Sequence, residues 1–262
     1  YYHSNNRKYS LDDYYTITYK YDAFNNQIQK NCKDFSGNNA PKRVVIKSKY
    51  DAWGNEIEKA YFDSDEEKRV ENMQNIHRTC YGYDSLFYLN EVRYYDKNNE
   101  LTGCPEDTTY AIVRYLNDEF GNRTSTEYFN KNEEACDCAD GYHRMSRTLD
   151  ACGRVISEKY YGANGNRRRH TNGCWEGRCT YDRLFIDKYA TVSGHDMQGN
   201  LMNTNEGWAY KTFKYDKLGN NTEIAYFDKD SIPFMHPDGH HKAISTYEGN
   251  NETRIEYYDK EN

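Results

Sequence analysis

The side chains best suited by type to do chemistry fall into three groups: a histidine-rich run, eight cysteines and a few acidic pairs. The run HPDGHH places His236, Asp238, His240 and His241 within six positions. Imidazole and carboxylate are both good ligands for divalent metals, so these four are the candidate metal set. No fixed helical or strand spacing organises them, and the run reads as a polar loop between strands. No metal or cofactor is expected. His195 and Asp196 fall in a turn and read as structural. The pairs Glu66–Glu67 and Glu133–Glu134 read as solvated charge. No signature brings a cysteine and a histidine together as a thiol nucleophile and its base, so no enzymatic activity is expected.

The cysteines are Cys32, Cys80, Cys104, Cys136, Cys138, Cys152, Cys174 and Cys179. An even, high count in a chain with a modest core points to disulfides and an oxidising compartment. The alternatives are buried thiols or a zinc site, for which the closest fits are Cys174-x4-Cys179 and Cys136-Asp137-Cys138.

Composition narrows the class. Only 36% of residues are hydrophobic and 29% are charged, as in a disordered chain, yet there are 28 Tyr, 10 Phe and 3 Trp. Disordered chains lack aromatics. Tyrosine packs its ring and leaves its hydroxyl in water, which suits many half-buried strands better than a thick, dry core. A net charge of −7, with both signs intermixed, excludes a nucleic-acid surface. No apolar stretch approaches the roughly 20 residues of a membrane span. No signal peptide is visible, and a chain starting at Tyr1 is expected to be a mature or trimmed form.

The elements that must carry these residues come from an internal repeat. YDAWGNEIEKAYFD at Tyr50 to Asp63 returns as YDKLGNNTEIAYFD at Tyr215 to Asp228. With the leading Tyr as position zero, copies start near 21, 50, 83, 117, 149, 181, 215 and 246, so the expected domain is one array over residues 1–262. Position one carries Asp51, Asp118 and Asp216, and also Asp22, Asp84, Asp150 and Asp182. Aspartate there can accept backbone N–H groups within a tight turn. Position four carries Gly54, Gly121, Gly153 and Gly219, or Asn25 and Asn250, the residue types that tolerate positive φ. Asn55 follows Gly54. Phe87 and Phe185 break the rule, and their turns should differ. The sequons at Asn122, Asn220 and Asn251 all fall at position five and read as turn chemistry rather than glycan sites.

The flanks alternate with period two, as in Ile17, Tyr19 and Tyr21 against Thr18 and Lys20. Position eleven is Tyr61, Tyr94, Tyr128, Tyr160, Tyr226 and Tyr257; position twelve is Phe62, Tyr95, Phe129, Tyr161, Phe227 and Tyr258. Adjacent strand residues face opposite ways, so an aromatic row is expected on each side of the sheet, with the equivalent rings stacked. Each unit reads as strand, tight turn, strand and looser loop. The fold class is all-β: an elongated array of about eight antiparallel β-hairpins, solenoid-like or a single twisted sheet.

The Tyr–Asp, Gly–Asn and YFD elements resemble the tyrosine–aspartate repeats of bacterial RHS-type and teneurin-like surface proteins. That resemblance implies secreted or surface-displayed hairpin arrays, which in RHS proteins form shells around toxins. EVRYYDKNNELTG, Glu91 to Gly103, is similar to the choline- and glucan-binding repeats of bacterial cell walls. Three functions are compatible with these readings. The first is an extracellular structural subunit of a fibre, coat or adhesive stalk, self-associating into a homopolymer through its terminal hairpins. The second is a carbohydrate-binding module using exposed Tyr and Trp rows. The third is a fragment of an RHS-like toxin shell.

Overall fold

Alternating runs rich in Tyr, Thr, Val and Ile cannot bury one helical stripe, but they can line the two faces of a pleated strand. The computed structural model describes residues 16–33, 45–63, 68–72 and 74–261, and in them the chain is all-β, with no helix. The strands are β1 (Thr16–Tyr21), β2 (Gln27–Lys33), β3 (Val45–Tyr50), β4 (Glu56–Phe62), β5 (Arg78–Tyr83), β6 (Leu89–Tyr95), β7 (Ile112–Asn117), β8 (Arg123–Phe129) and β9 (Arg144–Leu149). They continue as β10 (Val155–Tyr161), β11 (Arg167–Arg168), β12 (Glu176–Tyr181), β13 (Tyr189–His195), β14 (Tyr210–Tyr215), β15 (Asn221–Phe227), β16 (Lys242–Glu248) and β17 (Asn251–Tyr258).

The chain divides into two compact units whose boundary falls inside β8. The first comprises Tyr1–Gly121 and Glu127–Cys136; the second comprises Asn122–Thr126 and Asp137–Asn262. In the first, β1 to β7 pair in chain order, each antiparallel to the next. In the second, β9, β10 and β12 to β17 do the same, and the two-residue β11 pairs at the end of β10. The hairpins β3–β4, β5–β6, β12–β13 and β14–β15 all shift register at position zero, as at Lys49/Tyr50, where one extra residue is accommodated. Such a bulge bends the strand just before the turn.

The connections between hairpins are more ordered than the sequence suggests. Those after β8, β10, β13 and β15 fold back on the strand ends through two further tight turns, and those after β4 and β6 include one, opening on Asn72 and Asp96. One opens on Asp96, Asn130, Gly162, Asp196 or Asp228, and the other on Asn72, Cys138, His170, Thr204 or His236. The backbone pattern matches the hairpin turn: residue one donates its N–H to the carbonyl of residue five and accepts from the N–H of residue four. The return leg places Ile76, Cys104, Tyr142, Cys174 and Ala209 against the sheet, and these are among the most buried side chains. Fully burying one such aliphatic side chain stabilises by roughly 1.5–3 kcal/mol. The core is therefore a thin layer between loop and sheet. Asp34 and Glu66–Glu67 lie outside the described residues, as do the side chains of Cys32 and Lys33.

Candidate functional site

The repeated motif is built first around its turn. Asp51 Oδ1 accepts the N–H groups of Trp53 and Asn55, both at 2.9 Å, and Oδ2 accepts the Asn55 side-chain amide at 2.9 Å. Gly54 closes the turn at φ +89°. Asp22 with Asn26, and Asp216 with Asn220, repeat this ring of bonds. At Asp150 the guanidinium of Arg154 takes the amide's place at 2.7 Å. The Asn amide, joined by turn N–H groups, holds Asp51 and Asp216 below the usual carboxylate range. Asp118 opens the corresponding turn, with Gly121 donating to its carbonyl.

Three turns need separate description. Phe87 takes φ +65° and its turn has the same bonds as its neighbours, with the Phe87 ring packed 5.0 Å from Trp53. The expected difference is therefore confined to Phe185, whose turn is two residues longer and closes between Asp182 and Lys188. The insertion displaces the downstream positions by two, and Asp196 opens the next turn. In the last hairpin Glu248 pairs with Asn251, and the positive φ falls on Gly249 instead of Asn250.

At five copies, position zero ties a hairpin to the one before it, while Leu149 has no polar group to do so. The hydroxyl of Tyr50 donates to the carbonyl of Gln27 at 3.1 Å, Tyr83 to Glu56 at 2.9 Å, Tyr181 to Val155 at 2.9 Å and Tyr215 to Tyr189 at 2.9 Å. Asn117 replaces Tyr with its amide, reaching Leu89 O at 3.0 Å. Burial, helped by nearby carboxylates, pushes the Tyr50 and Tyr83 hydroxyls up, so they stay protonated donors.

Positions eleven and twelve face opposite sides, and the equivalent rings are spaced by the strand that lies between them. Hairpins repeat every two strands, about 10 Å, too far for direct ring contact. At position twelve the gap is filled by cations. Arg78 lies 4.3 Å over Tyr95, Arg114 4.3 Å over Phe129, Arg144 4.3 Å over Tyr161, Lys47 5.0 Å over Phe62 and Lys242 4.8 Å over Tyr258. Phe227 instead stacks on Tyr210 at 4.7 Å. At position eleven the loop fills it: Tyr128 meets Tyr110 at 4.6 Å, Tyr160 meets Tyr142 at 5.0 Å, Tyr226 meets His236 at 4.6 Å and Tyr257 meets His240 at 4.8 Å. Tyr94 shares a hydrogen bond with the buried Cys104. Tyr61 N–H donates to His77 O, which joins β4 to the returning loop.

The histidine run occupies one of these loop turns. His236 N donates to His240 O, and His236 Nδ1 faces Asp238 at 3.2 Å. His240 packs on Tyr257, while His241, the next residue, turns to the other face against Phe227 and its Nδ1 bonds Tyr226 O at 2.7 Å. The four do not converge, and the described residues contain no cluster of three or more metal-ligating side chains. His195 is buried between Ser193 Oγ at 2.9 Å and Gly199 O at 3.0 Å, and desolvation holds it below its ordinary value.

Among the described residues the structure holds no disulfide, contrary to the expectation from cysteine count. Cys104, Cys138 and Cys174 are buried residues of the loop layer, where Ile76 and Tyr142 also lie. Cys80 and Cys179 are half-buried on β5 and β12, and Cys152 sits exposed at a turn. Successive hairpins, about 10 Å apart, space equivalent cysteines beyond the Cα separation of roughly 4.4–6.8 Å that a disulfide spans. Cys136 Sγ lies 3.5 Å from Thr109 O. At the sequons, Asn220 spends its amide on Asp216 and on Gly249 O at 2.7 Å. An open cleft of about 490 Å³ in the second unit is lined by Val155, Tyr181, Tyr189 and Phe213. Of the charges at its rim, Arg147 pairs with Glu158 at 2.9 Å and Arg178 with Glu176 at 2.7 Å, while Lys211 lies over the Trp208 and Phe213 rings.

No protein-family model and no curated protein sequence matches the chain. Solved structures align with it at low similarity. A Tc holotoxin pore of Photorhabdus luminescens aligns at 14% identity and a TM-score of 0.40, over 92% of this chain and 11% of that one. A TcdB2–TccC3 structure without its hypervariable C-terminal region aligns at 11% identity and a TM-score of 0.33, over 90% of this chain and 14% of that one. A TcdB2–TccC3–TEV structure aligns at 13% identity and a TM-score of 0.29, over 88% and 13%. The chain thus spans between a tenth and a seventh of the length of these proteins.

Proposed function

We propose that this chain is a structural segment, a wall of stitched β-hairpins working outside the cell as part of a fibre, coat or stalk. The carrying observation is where the recurring polar groups go. Position-zero hydroxyls bond the preceding hairpin, turn aspartates bond their own turn, and both arginines at the rim of the Tyr181–Tyr189 cleft are paired with glutamates. An array of this kind draws its stability from nearest-neighbour contacts, and its edge strands can accept another hairpin, from a second copy or from further chain. The extracellular location rests on the YD–GN motif resemblance, not on the cysteines. A toxin-shell segment is the same wall curved on itself, and the motif resemblance supports it as the second reading. Carbohydrate binding has less support, because Tyr128, Tyr160 and Tyr226 already spend their rings on loop side chains.

Negative-stain microscopy of the protein at rising concentration tests this. Filaments support the fibre, and closed hollow particles support the shell. Single-chain particles at every concentration would defeat the self-assembling form.

A further inference from the structure

All seven hairpin turns that open on aspartate carry an apolar residue at position three: Phe24, Trp53, Leu86, Phe120, Cys152, Leu184 and Leu218. They point into solvent. Phe24 is 87% exposed, Trp53 72%, Phe120 75% and Leu184 81%. Turn chemistry does not require this. The loop turns share the same backbone bonding, and their corresponding residues are Asn98, Asn132, Asn164, Gln198 and Asp230 in one set and Gln74, Asp140, Asn172, Glu206 and Asp238 in the other. Ten polar residues at one end of the hairpins against seven apolar ones at the other mark a selected feature of the tips. Exposed apolar side chains in a regular row have a partner to meet.

We propose that the tip row of the first unit, Phe24, Trp53, Leu86 with Phe87, and Phe120, is a lateral docking surface for a second copy of this chain. Three observations select that occupant. The first is pitch: the tips recur every two strands, about 10 Å, and a second copy presents the same pitch by construction. The second is area. Taking about 200 Å² for a large apolar side chain, the exposed share of the five residues comes to roughly 650 Å², near the low end of the ~800 Å² per partner of a specific interface. The third is the ground between the first three tips, where Ala23, Ala52 and Ser85 are small and uncharged and leave room for close approach, with Glu119 as the charged residue of the set beside Phe120. The N–H groups of the tip residues Phe24, Trp53, Leu86 and Phe120 are already bonded to the turn aspartates, so covering them does not strand those donors. Those aspartates stay charged and repel their counterparts across the interface, so salt strengthens the association by screening. This contact is lateral and independent of end-to-end joining through edge strands.

The test is sedimentation velocity of the full chain across a concentration series at low and high salt, beside the variant Phe24→Asn, Trp53→Asn, Leu86→Asn, Phe120→Asn. Asparagine is the residue the chain itself uses at this point of the same turn (Asn98, Asn132), so the fold is retained, with far-UV circular dichroism as the check. If the four-site variant loses that signal, Phe24→Asn with Trp53→Asn answers the same question. The wild type is expected to gain mass with concentration, more steeply at high salt, and the variant to lose the salt-strengthened part of that gain. Equal association of both proteins, or one-chain mass for both, overturns the proposal. So does a wild type that stays at one chain's mass yet floats with phosphatidylcholine vesicles, which would assign the row to lipid. End-to-end filaments persist in the variant, so failure of this contact and failure of the fibre reading are told apart by microscopy of the same samples.

Discussion

Positions eleven and twelve are neighbours in sequence and aromatic in nearly every repeat, yet they are stabilised in different ways. At position eleven a loop folds over the ring; Tyr160, 5% exposed, lies against Tyr142 and His170. At position twelve the contacts are mostly cationic, and Tyr161 is held between the guanidinium groups of Arg144 on β9 and Arg167 on β11. The difference teaches that the returning loop, not the strand pattern, decides which face becomes the core. Two aromatic rows of equal appearance become one row packed by loop side chains, most deeply at Tyr160, and one row capped mainly by cations.

The largest effect that would break this contrast is at the buried ring. Tyr160→Ala is expected to cost about 3–5 kcal/mol in urea unfolding, and Tyr161→Ala clearly less. Equal losses would mean that the loop does not cover position eleven. Next comes the stitch: Tyr83→Phe removes one hydroxyl bond to a strand carbonyl and should cost about 1 kcal/mol. Smaller again, Arg144→Gln removes the direct cross-strand cation over Tyr161 and should cost about 0.5–1 kcal/mol.

The pH dependence separates the two kinds of bond without mutation. Burial, with Glu56 and other charges adding to it, raises Tyr81 to about 12, and Tyr50 and Tyr83 are raised too. A raised folded value means that this stability is whole below the unfolded value of about 10 and is lost as pH rises through the folded ones. The turn aspartates Asp51, Asp150 and Asp216 are lowered, so their contribution is whole above about pH 4 and is lost as pH falls through the folded values. A thermal-melt series flat from about pH 7 to 9 and falling at both ends is expected, with the lowered His195 starting the acid limb and the turn aspartates completing it below about pH 4. A flat acid limb would remove the aspartates from the turn.

Much of the fold was legible in the sequence, and the reasons are local. Asp and Gly at fixed positions specify a tight turn, and period-two flanks specify the strands on either side. The loops were not legible because their turns open on varied residues, Asn72, Cys138, His170 and Thr204 among them, which share bonding and not identity. Cysteine count misled because Cys174 fills a buried loop position where other repeats place Ile76, Tyr142 and Trp208, and Cys104 is buried in the same layer. Trp53 drew notice as an aromatic, but the row it belongs to is defined by apolarity, from Phe24 to Leu218, and counting tryptophans alone hides it.

The central claim is that the recurring tyrosine binds one hairpin to the next. Its most direct test is the unfolding free energy of a chain carrying Tyr50→Phe, Tyr83→Phe, Tyr181→Phe and Tyr215→Phe, with Tyr88→Phe, which lies outside position zero, as control. Four largely additive losses, about 4 kcal/mol together, with little change in the control, are expected. A four-site variant as stable as the wild type would contradict the claim.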